Sequence, residues 1–197
     1  MCLPMGDSLL VQIMEDAFAD AARRAGDHLV CKIGCTQCCH GAFALGPLDA
    51  LRLKAGVKKL RETQPDLAAE IVHRADMWVV EHGGAFPGDA ETGFLGNSAE
   101  ERERFEDFAN DAACPALDPA SGRCDIYAWR PMTCRVFGPP VRVGDGDALA
   151  HCELNFVGVG TEDVAACEMT VPYDLETEIL AEIPSKAETV VAFALLN

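Results

Sequence analysis

Apolar residues recur every three or four positions near the start of the chain, which predicts an amphipathic helix. Its apolar stripe is formed by Leu10, Ile13, Met14, Ala17, Phe18 and Ala21. Asp7 or Ser8 can cap the first turn, and Gly26 can end the helix, because glycine readily adopts the backbone conformation that closes a helix. The pattern therefore predicts a first helix bounded by these residues.

Two further helices are predicted, each beginning at a proline. Proline is favoured in the first helical turn, where its missing N–H would have no partner. One helix is expected over residues 47–60, and the other from Pro65 to the Gly83-Gly84 pair. The later helix has apolar residues at helical spacing: Leu67, Ile71, Ala75, Trp78 and Val79.

A segment rich in glycine and proline, residues 83–97, follows these helices. Its composition predicts an irregular surface segment, either a linker or a lid over a functional site. Ser98 and Glu101 then have the spacing of a capping box, which marks the start of another helix. Phe105 and Phe108 should lie on the inner face of that helix.

The second half of the chain predicts shorter elements. Residues 123–128 and 141–143 have the character of short strands, and Pro131 opens a helical turn between them. Short helices are expected from Thr161 and Asp174. The predicted fold class is mainly α, with surrounding helices, a small β element and an irregular cysteine-rich core. We expect a single domain over residues 1–197, with its motif region at 31–155.

Composition and charge narrow the classes of protein that fit. The chain has 197 residues, is 49% hydrophobic and carries a net charge of -16, so it can bury a core but would repel nucleic acid and anionic lipid. We therefore expect neither nucleic acid nor a membrane as partner, while a protein partner remains open. The start of the chain lacks the pattern of a secretory signal, and no apolar run is long enough for a membrane span. These features predict a cytoplasmic protein with reduced thiols.

Ten cysteines give the strongest chemical signal. Four lie within nine residues, and four return at wide spacing; these eight are the candidate metal ligands Cys31, Cys35, Cys38, Cys39, Cys114, Cys124, Cys134 and Cys152. A tight cluster completed by remote cysteines is typical of a metal or iron–sulfur site closed by the tertiary fold. Cys2 is close to the terminus and Cys167 sits beside Ala165 and Ala166 in a predicted helix, so both are expected not to be ligands.

The spacing within the cluster leaves the number and kind of centres open. Cys35 and Cys38 have the C-x2-C spacing of two thiolates that bind one ion. Adjacent side chains normally diverge, so Cys38 and Cys39 should not bind one ion together, which favours two centres or a multi-iron cluster over a single zinc. The sequence therefore predicts zinc or an iron–sulfur cluster as cofactor, in one centre or two.

The order of motifs is similar to that of a known family. The segments Gly34-Cys35-Thr36-Gln37-Cys38-Cys39-His40-Gly41, Cys114-Pro115-Ala116-Leu117 and Gly122-Arg123-Cys124-Asp125-Ile126-Tyr127-Ala128-Trp129-Arg130-Pro131-Met132-Thr133-Cys134-Arg135 resemble the CxxCxxCC, or YkgJ-type, cysteine-cluster family. That resemblance implies zinc or iron chelation. A related domain occurs in flagellin lysine methylases, but this chain has no glycine-rich nucleotide loop after a predicted strand, so that activity is not carried over.

Residues beside the cysteines suggest how a centre would be supported. Arg130 and Arg135 flank Cys134 and can donate hydrogen bonds toward sulfur, or form salt bridges with surface acids instead. Three aromatic residues are expected to pack as core around the cysteines: Tyr127, Trp129 and Phe137.

The sequence predicts a metal-binding protein whose cysteines hold zinc or an iron–sulfur cluster. The alternatives are an iron–sulfur-dependent redox or modification enzyme component and a zinc module that presents a surface to a partner. No catalytic residue can be named, because no nucleophile with a matching base stands out. So many candidate thiols favour full ligation by protein, without a pocket at the metal.

Overall fold

The computed structural model describes residues 3–144 and 148–197. Its α-helices are α1 (Asp7–Ala25), α2 (Pro47–Thr63), α3 (Pro65–His82), α4 (Ala99–Glu106), α5 (Met132–Val136), α6 (Thr161–Ala166), α7 (Tyr173–Ala181) and α8 (Val191–Leu196). Its strands form three antiparallel pairs: β1 (Gly88–Asp89) with β2 (Phe94–Leu95), β3 (Leu117–Asp118) with β4 (Arg123–Cys124), and β5 (Val141–Arg142) with β6 (Leu149–Ala150). The mainly α class predicted from the sequence is confirmed.

The first three helices lie close to where the sequence predicts them, because their signals are local, but α1 has Gly6 at its N-cap instead of Asp7 or Ser8, and α2 extends to Thr63 instead of ending at residue 60. In α1, the buried positions include Leu10, Met14 and Ala21 of the predicted stripe. Both α2 and α3 begin at their prolines. None of the helices in residues 3–144 and 148–197 has both the length and the apolar character required to cross a bilayer.

The chain forms two compact units. Unit 1 contains Gly34–Pro131 and Ile183–Asn197, together with Leu3, and unit 2 contains Pro4–Ile33 and Met132–Glu182. The cysteine-rich motif is therefore divided between the two units. Unit 1 carries Cys35, Cys38, Cys39, Cys114 and Cys124, and unit 2 carries Cys31, Cys134, Cys152 and Cys167.

Helices α2, α3 and α8 enclose the main core of unit 1. Its fully buried side chains include Leu53 on α2, Ile71 on α3 and Leu195 on α8. Cys114 and Cys124 pack against this cluster from its edge. Burial of these apolar side chains stabilises the unit by roughly 25 cal/mol per Å² removed from water, so the core gives the cysteines a rigid support.

The glycine-rich segment predicted as a linker or lid carries regular structure in unit 1. It contains a short 3-10 turn, Gly83–Ala85, and the β1–β2 hairpin. Gly93 has a positive φ of 73° and lies against the Phe193 ring, and its carbonyl oxygen accepts a 2.6 Å hydrogen bond from the Thr189 hydroxyl. Only glycine fits this close approach without strain.

The capping box at the start of α4 is present as predicted. The Glu101 N–H donates to the Ser98 hydroxyl oxygen at 3.2 Å, and the Ser98 N–H donates to the Glu101 carboxylate at 2.9 Å. Phe108 is buried with Trp78 and Phe86, and Phe105 is partly buried beside it. These reciprocal bonds satisfy two backbone donors that the helix itself leaves unpaired.

The predicted strand over residues 123–128 is too long. Only Arg123–Cys124 pairs, with Leu117–Asp118, and the chain then turns through a 3-10 segment at Tyr127–Trp129. The Asp118 carboxylate accepts hydrogen bonds from the N–H groups of Ala120 and Ser121, which fixes a tight hairpin. After the hairpin, Ile126 enters the core, which ends the strand.

Unit 2 is built around α1. Arg24 donates to the backbone carbonyl oxygens of Ala166 and Glu168, which holds the end of α6 to α1. The Glu15 carboxylate on α1 forms an ion pair with the buried Arg135 of α5. A small apolar cluster of Ala25, Phe156 and Cys167 completes the unit.

Candidate metal centre

A tight turn in unit 1 presents Cys38 and Cys39. Residues Gln37–Cys39 form a single 3-10 turn, closed by a 2.8 Å hydrogen bond from the Cys39 N–H to the Thr36 carbonyl oxygen. Gly41 follows with a φ of 87°, and a Cβ there would approach the Asn110 carbonyl oxygen to 3.1 Å. Glycine thus lets the cysteine turn lie directly on the 110–114 backbone.

Backbone hydrogen bonds bring two remote cysteines to this turn. The Cys114 N–H donates to the Cys39 carbonyl oxygen at 2.8 Å, and the Gly41 N–H donates to the Ala112 carbonyl oxygen at 2.9 Å. In the β3–β4 pair, Cys124 lies opposite Leu117. Three separate chain segments therefore place Cys38, Cys39, Cys114 and Cys124 in one group.

The side chains of Cys38 and Cys39 face each other. The Cys39 thiol donates a hydrogen bond to the Cys38 sulfur, and this bond is the main cause that lowers the pKa of Cys38 to about 6. The same bond, with burial and the negative charges of neighbouring thiolates, raises the pKa of Cys39 far above its usual range. The expectation that these adjacent side chains diverge is wrong, because the 3-10 turn orients both sulfurs toward the same group.

Burial dominates the titration of the two remote thiols. It raises the pKa of Cys114 to about 12, with further increments from the nearby charges of Cys124 and Cys38. Burial also raises the pKa of Cys124, opposed in part by the positive charge of Arg130. Desolvation and mutual repulsion keep protons on these thiols until a cation takes their place.

Arg130 is a buried cation in the same group. Its side chain is 6% exposed, and its positive charge lowers the pKa of both Cys38 and Cys124. The guanidinium carbon lies 3.8 Å from the centre of the Tyr127 ring, and Nη1 donates to the Tyr127 carbonyl oxygen at 3.1 Å. Arg130, predicted to donate toward cysteine sulfur, thus acts on the thiolates through its positive charge. Arg135, for which the same role is one of the predicted alternatives, forms an ion pair with Glu15 in unit 2.

The donor set of unit 1 suits a thiolate-binding metal by its chemistry. Four thiols in one group match the requirements of zinc and of iron–sulfur clusters. The five cysteines of unit 1, Cys35, Cys38, Cys39, Cys114 and Cys124, are free thiols. Within residues 3–144 and 148–197, no three His, Cys, Asp or Glu side chains stand in a ready ligand arrangement. Ligation by this group would therefore require its side chains to rotate.

Cys35 lies in the same loop, partly buried, four residues before Cys39. The loop start rests on the β3–β4 turn: a Cβ at Gly122, whose φ is 67°, would lie 3.3 Å from the Gly34 Cα. Cys35 is therefore anchored close to the hairpin that carries Cys124.

Unit 2 holds the other candidate ligands. Cys31 is exposed, Cys134 is partly buried on α5, and Cys152 is buried. Asn155, which the sequence analysis did not select, is 1% exposed and has hydrogen-bonding contacts with the Cys31 sulfur. Asparagine is common in turns, so its presence in the sequence does not mark it as functional. The burial of its side chain in the structure does.

Two cysteines, Cys2 and Cys167, are expected not to be ligands. Cys167 is buried against Ala25 and Phe156, an apolar environment typical of a structural thiol. Cys2 lies outside the described residues.

The predicted aromatic packing holds at one position of three. Trp129 packs on the unit 1 core, beside Ile126. Tyr127 is 60% exposed and Phe137 is 43% exposed, so the prediction that they belong to the core is wrong. Tyr127 instead places one face of its ring over the guanidinium of Arg130, and the ring as a whole stays exposed.

A groove of about 870 Å³ runs along unit 1 and reaches one of the clustered cysteines. Its walls come from α3 and from the 107–119 segment, and include His73, Trp78, His82, Asp111, Cys114 and Pro115. The sequence predicts no pocket at the metal, whereas this groove lies beside Cys114, a candidate ligand.

The comparisons with known proteins agree with this donor chemistry. No curated protein and no solved structure is significantly similar to the chain. The CxxCxxCC family, described as a "putative zinc- or iron-chelating domain", matches residues 30–151, which is more than half of the chain. This stretch contains all eight candidate ligands except Cys152, which follows it directly. The chain belongs to the CxxCxxCC family of zinc- or iron-chelating domains.

Proposed function

We propose that unit 1 binds a metal through the thiolates of Cys38, Cys39, Cys114 and Cys124, with Cys35 as a further ligand from the same loop. One observation carries this proposal: three separate chain segments, joined by backbone hydrogen bonds, bring four thiols into mutual electrostatic contact. Four partly buried thiolates in one group would repel one another, whereas thiolate ligands to a metal are stabilised by it.

The remaining candidate ligands are assigned to unit 2 in this proposal. Cys31, Cys134 and Cys152 belong to that unit. Cys152 is buried and its N–H donates to the Gly138 carbonyl oxygen, which also accepts from Asn155 beside Cys31. We propose that these three cysteines also bind metal. The effect of substituting them should be measured separately from the effect of substituting the unit 1 cysteines.

An iron–sulfur cluster is the proposed cofactor, with zinc as the alternative. More cysteines are present than one zinc ion requires, and this surplus favours a cluster or a second centre. The contact between Cys38 and Cys39 removes the argument that adjacent sulfurs cannot serve one centre, so four thiolates around one zinc remain compatible with the group. A cluster would supply electron transfer, and zinc would supply a rigid cross-link.

Arg130 has a defined role in either case. Four thiolates concentrate negative charge that one divalent ion or cluster does not neutralise completely. The buried guanidinium beside Cys38 and Cys124 offsets part of this charge and stabilises the deprotonated thiols.

A second candidate function is a redox or modification enzyme component. The groove in unit 1 supports it, because Cys114 contributes to the wall and a substrate in the groove would lie beside a proposed ligand. In a binding module or an electron-transfer protein, the metal centre would function without any substrate in this groove. The acidic surface and free thiols fit a reducing, cytoplasmic setting without nucleic acid as partner, which we also propose.

Anaerobic purification of the full chain tests the cofactor assignment. Iron, sulfide and zinc are counted per chain, and the visible spectrum is recorded. A brown protein with sulfide supports a cluster, and a colourless protein with stoichiometric zinc supports the alternative. Folded protein that contains neither metal after reconstitution would reject the proposal.

A further inference from the structure

Asn155 in unit 2 uses every hydrogen-bonding group of its side chain on one small region. Its Oδ1 accepts from the Val30 N–H at 2.9 Å, and its Nδ2 donates to the Gly138 carbonyl oxygen at 2.9 Å. The second Nδ2 hydrogen is directed to the Cys31 sulfur, at 3.5 Å. The side chain is 1% exposed, so these bonds form away from water and are expensive to lose.

The geometry favours Cys31 sulfur as an acceptor. With the sulfur as donor, the distance to Asn155 Oδ1 is 3.9 Å, whereas the amide donates to the sulfur at 3.5 Å. A sulfur that accepts an N–H hydrogen bond is favoured as a thiolate, the form that binds metals.

The backbone around Cys31 leaves room for this contact. Gly138 has a φ of 129°, and a Cβ at that position would lie 3.1 Å from the Cys31 sulfur. The Gly138 carbonyl oxygen also accepts from the Cys152 N–H at 3.3 Å, and the Asn155 N–H donates to the Cys152 carbonyl oxygen at 2.9 Å. Gly138 thus lies against Cys31 and accepts directly from Cys152, and Asn155 is hydrogen-bonded to Gly138 and to both cysteines.

We infer that Asn155 is a positioning residue that holds the Cys31 sulfur in place as a metal ligand by donating an amide hydrogen bond to it. This inference rests on the proposed metal-binding function and adds a residue outside the cysteine motif. Asn155 itself lies just beyond residues 30–151, the part of this chain that matches the family. A purely architectural role, in which Asn155 only joins the backbones near Val30 and Gly138, is the competing explanation.

Asn155→Asp and Cys31→Ser together separate these two roles. Asn155→Asp keeps the acceptor for the Val30 N–H, but a carboxylate oxygen replaces the amide nitrogen that donates both to the Cys31 sulfur and to the Gly138 carbonyl oxygen. An added negative charge near a cation should by itself strengthen metal binding, so weaker binding can be attributed to the lost amide donors, and only an effect through the Cys31 sulfur disappears when Cys31 is replaced by serine. Asn197→Asp is a matched control, because the Asn197 side-chain amide also donates to a backbone carbonyl oxygen, that of Thr92, at 3.2 Å.

Cobalt(II) serves as the probe in the full-length, metal-depleted protein. Its affinity is measured by chelator competition, and its thiolate charge-transfer absorption reports sulfur ligation. We expect Asn155→Asp to lower cobalt affinity by about 10- to 100-fold and to reduce the charge-transfer band, while Asn197→Asp changes neither. In a Cys31→Ser background, Asn155→Asp should have no further effect on either quantity.

Several outcomes would overturn the inference. These are unchanged or stronger cobalt binding in Asn155→Asp, equal effects of the two aspartate variants, or additive losses in the double variant. If Asn155→Asp does not fold, the side-chain amide resonances of Asn155 in the wild type replace it: they should shift when metal is added and stay unshifted in Cys31→Ser, and an absent shift rejects the inference.

The same experiment distinguishes failure of the inference about Asn155 from failure of the proposed metal-binding function. If wild type binds cobalt and Cys38→Ser does not, but Asn155→Asp behaves as wild type, only the role of Asn155 is rejected. A folded wild type that binds no cobalt would reject both.

Discussion

The backbone N–H of Cys114 donates to the carbonyl oxygen of Cys39 at 2.8 Å. This bond joins two cysteine-bearing segments that are 75 positions apart in the sequence. Because main-chain atoms form it, the two segments are held together without any contribution from the thiols. The local fold of unit 1 should therefore persist when a thiol is replaced, although metal binding does not.

A first prediction concerns Cys38→Ser. The variant should lose the metal, and its melting temperature should equal that of the metal-free wild type, because the backbone contacts remain. The metal-loaded wild type should be more stable than both, by about 4 kcal/mol when free metal is about 1,000 times its Kd. Calorimetry together with metal analysis measures the two effects on one sample.

Cys167→Ala provides the control for that comparison. Cys167 is buried in an apolar cluster of unit 2, so its truncation should lower stability in the loaded and metal-free states alike. Its metal content should match that of wild type. Equal metal loss in Cys167→Ala and Cys38→Ser would contradict the assignment of the unit 1 thiols.

A second prediction follows from the titration of the four clustered thiols. The pKa of Cys38 is lowered to about 6, so this thiol is mostly ionised at pH 7.5. The other three thiols have raised pKa values and keep their protons at this pH: Cys39, Cys114 and Cys124. A metal that takes all four as thiolates must displace about three protons per chain. Metal affinity should therefore rise steeply with pH, by about three orders of magnitude per pH unit near pH 7.5.

Calorimetric titration in buffers of different ionisation enthalpy measures the released protons. Cys114→Ser should release about one proton fewer, because serine carries no acidic proton in this range and the thiol that it replaces is protonated. Release of a single proton by wild type would show that the metal does not take the four thiols together.

A third prediction concerns the charge of Arg130. Arg130→Met removes a buried cation that lowers the pKa of Cys38 and Cys124, so protons compete more strongly with the metal. We expect metal affinity at pH 7 to fall by about 10- to 100-fold, with less loss at higher pH. Chelator competition across pH 6 to about 9 covers the usual range of cysteine pKa values.

Arg130→Lys separates charge from shape in that experiment. Lysine keeps the positive charge but cannot reproduce the planar stack on Tyr127. Partial recovery of affinity relative to Arg130→Met is expected. If lysine and methionine weaken binding to the same degree, the electrostatic role of Arg130 is wrong.

Local signals explain what the sequence could predict. Helix α1, with its apolar stripe, and the Ser98–Glu101 capping box depend on residues a few positions apart, and both occur as predicted. The same applies to the prolines that begin α2 and α3. The candidate cysteines were also identified by their spacing alone.

Long-range contacts explain what the sequence could not predict. The side chains of Cys38 and Cys39 meet because a 3-10 turn orients them, and periodicity of a helix or strand gives no indication of that turn. The exposed position of Tyr127 depends on the buried guanidinium beneath it. Asn155 acquires its importance only when residues 124 positions apart come together at Cys31.

The last prediction tests how unit 1 supports its cysteines, through Gly56→Ala on α2. Alanine is the better helix former by up to about 1 kcal/mol, so an isolated helix would be stabilised. At Gly56, however, a Cβ would lie 2.8 Å from the Trp129 Cγ and 2.9 Å from the Ile126 Cδ1. Overpacking of this kind typically costs about 1–3 kcal/mol, which exceeds the helical gain. Gly56→Ala should therefore lower the free energy of unfolding.

Urea denaturation of metal-free protein measures that change without a contribution from the metal. Gly84→Ala is the matched control, because within the described part of the chain a Cβ at Gly84 would meet no heavy atom within 4 Å beyond its sequence neighbours. Its stability should equal or slightly exceed that of wild type. Trp129 directly precedes Arg130, so its displacement should also weaken metal binding in Gly56→Ala. If Gly56→Ala is as stable as Gly84→Ala and binds metal as tightly, the packing of α2 against the 126–130 segment does not position the cysteines.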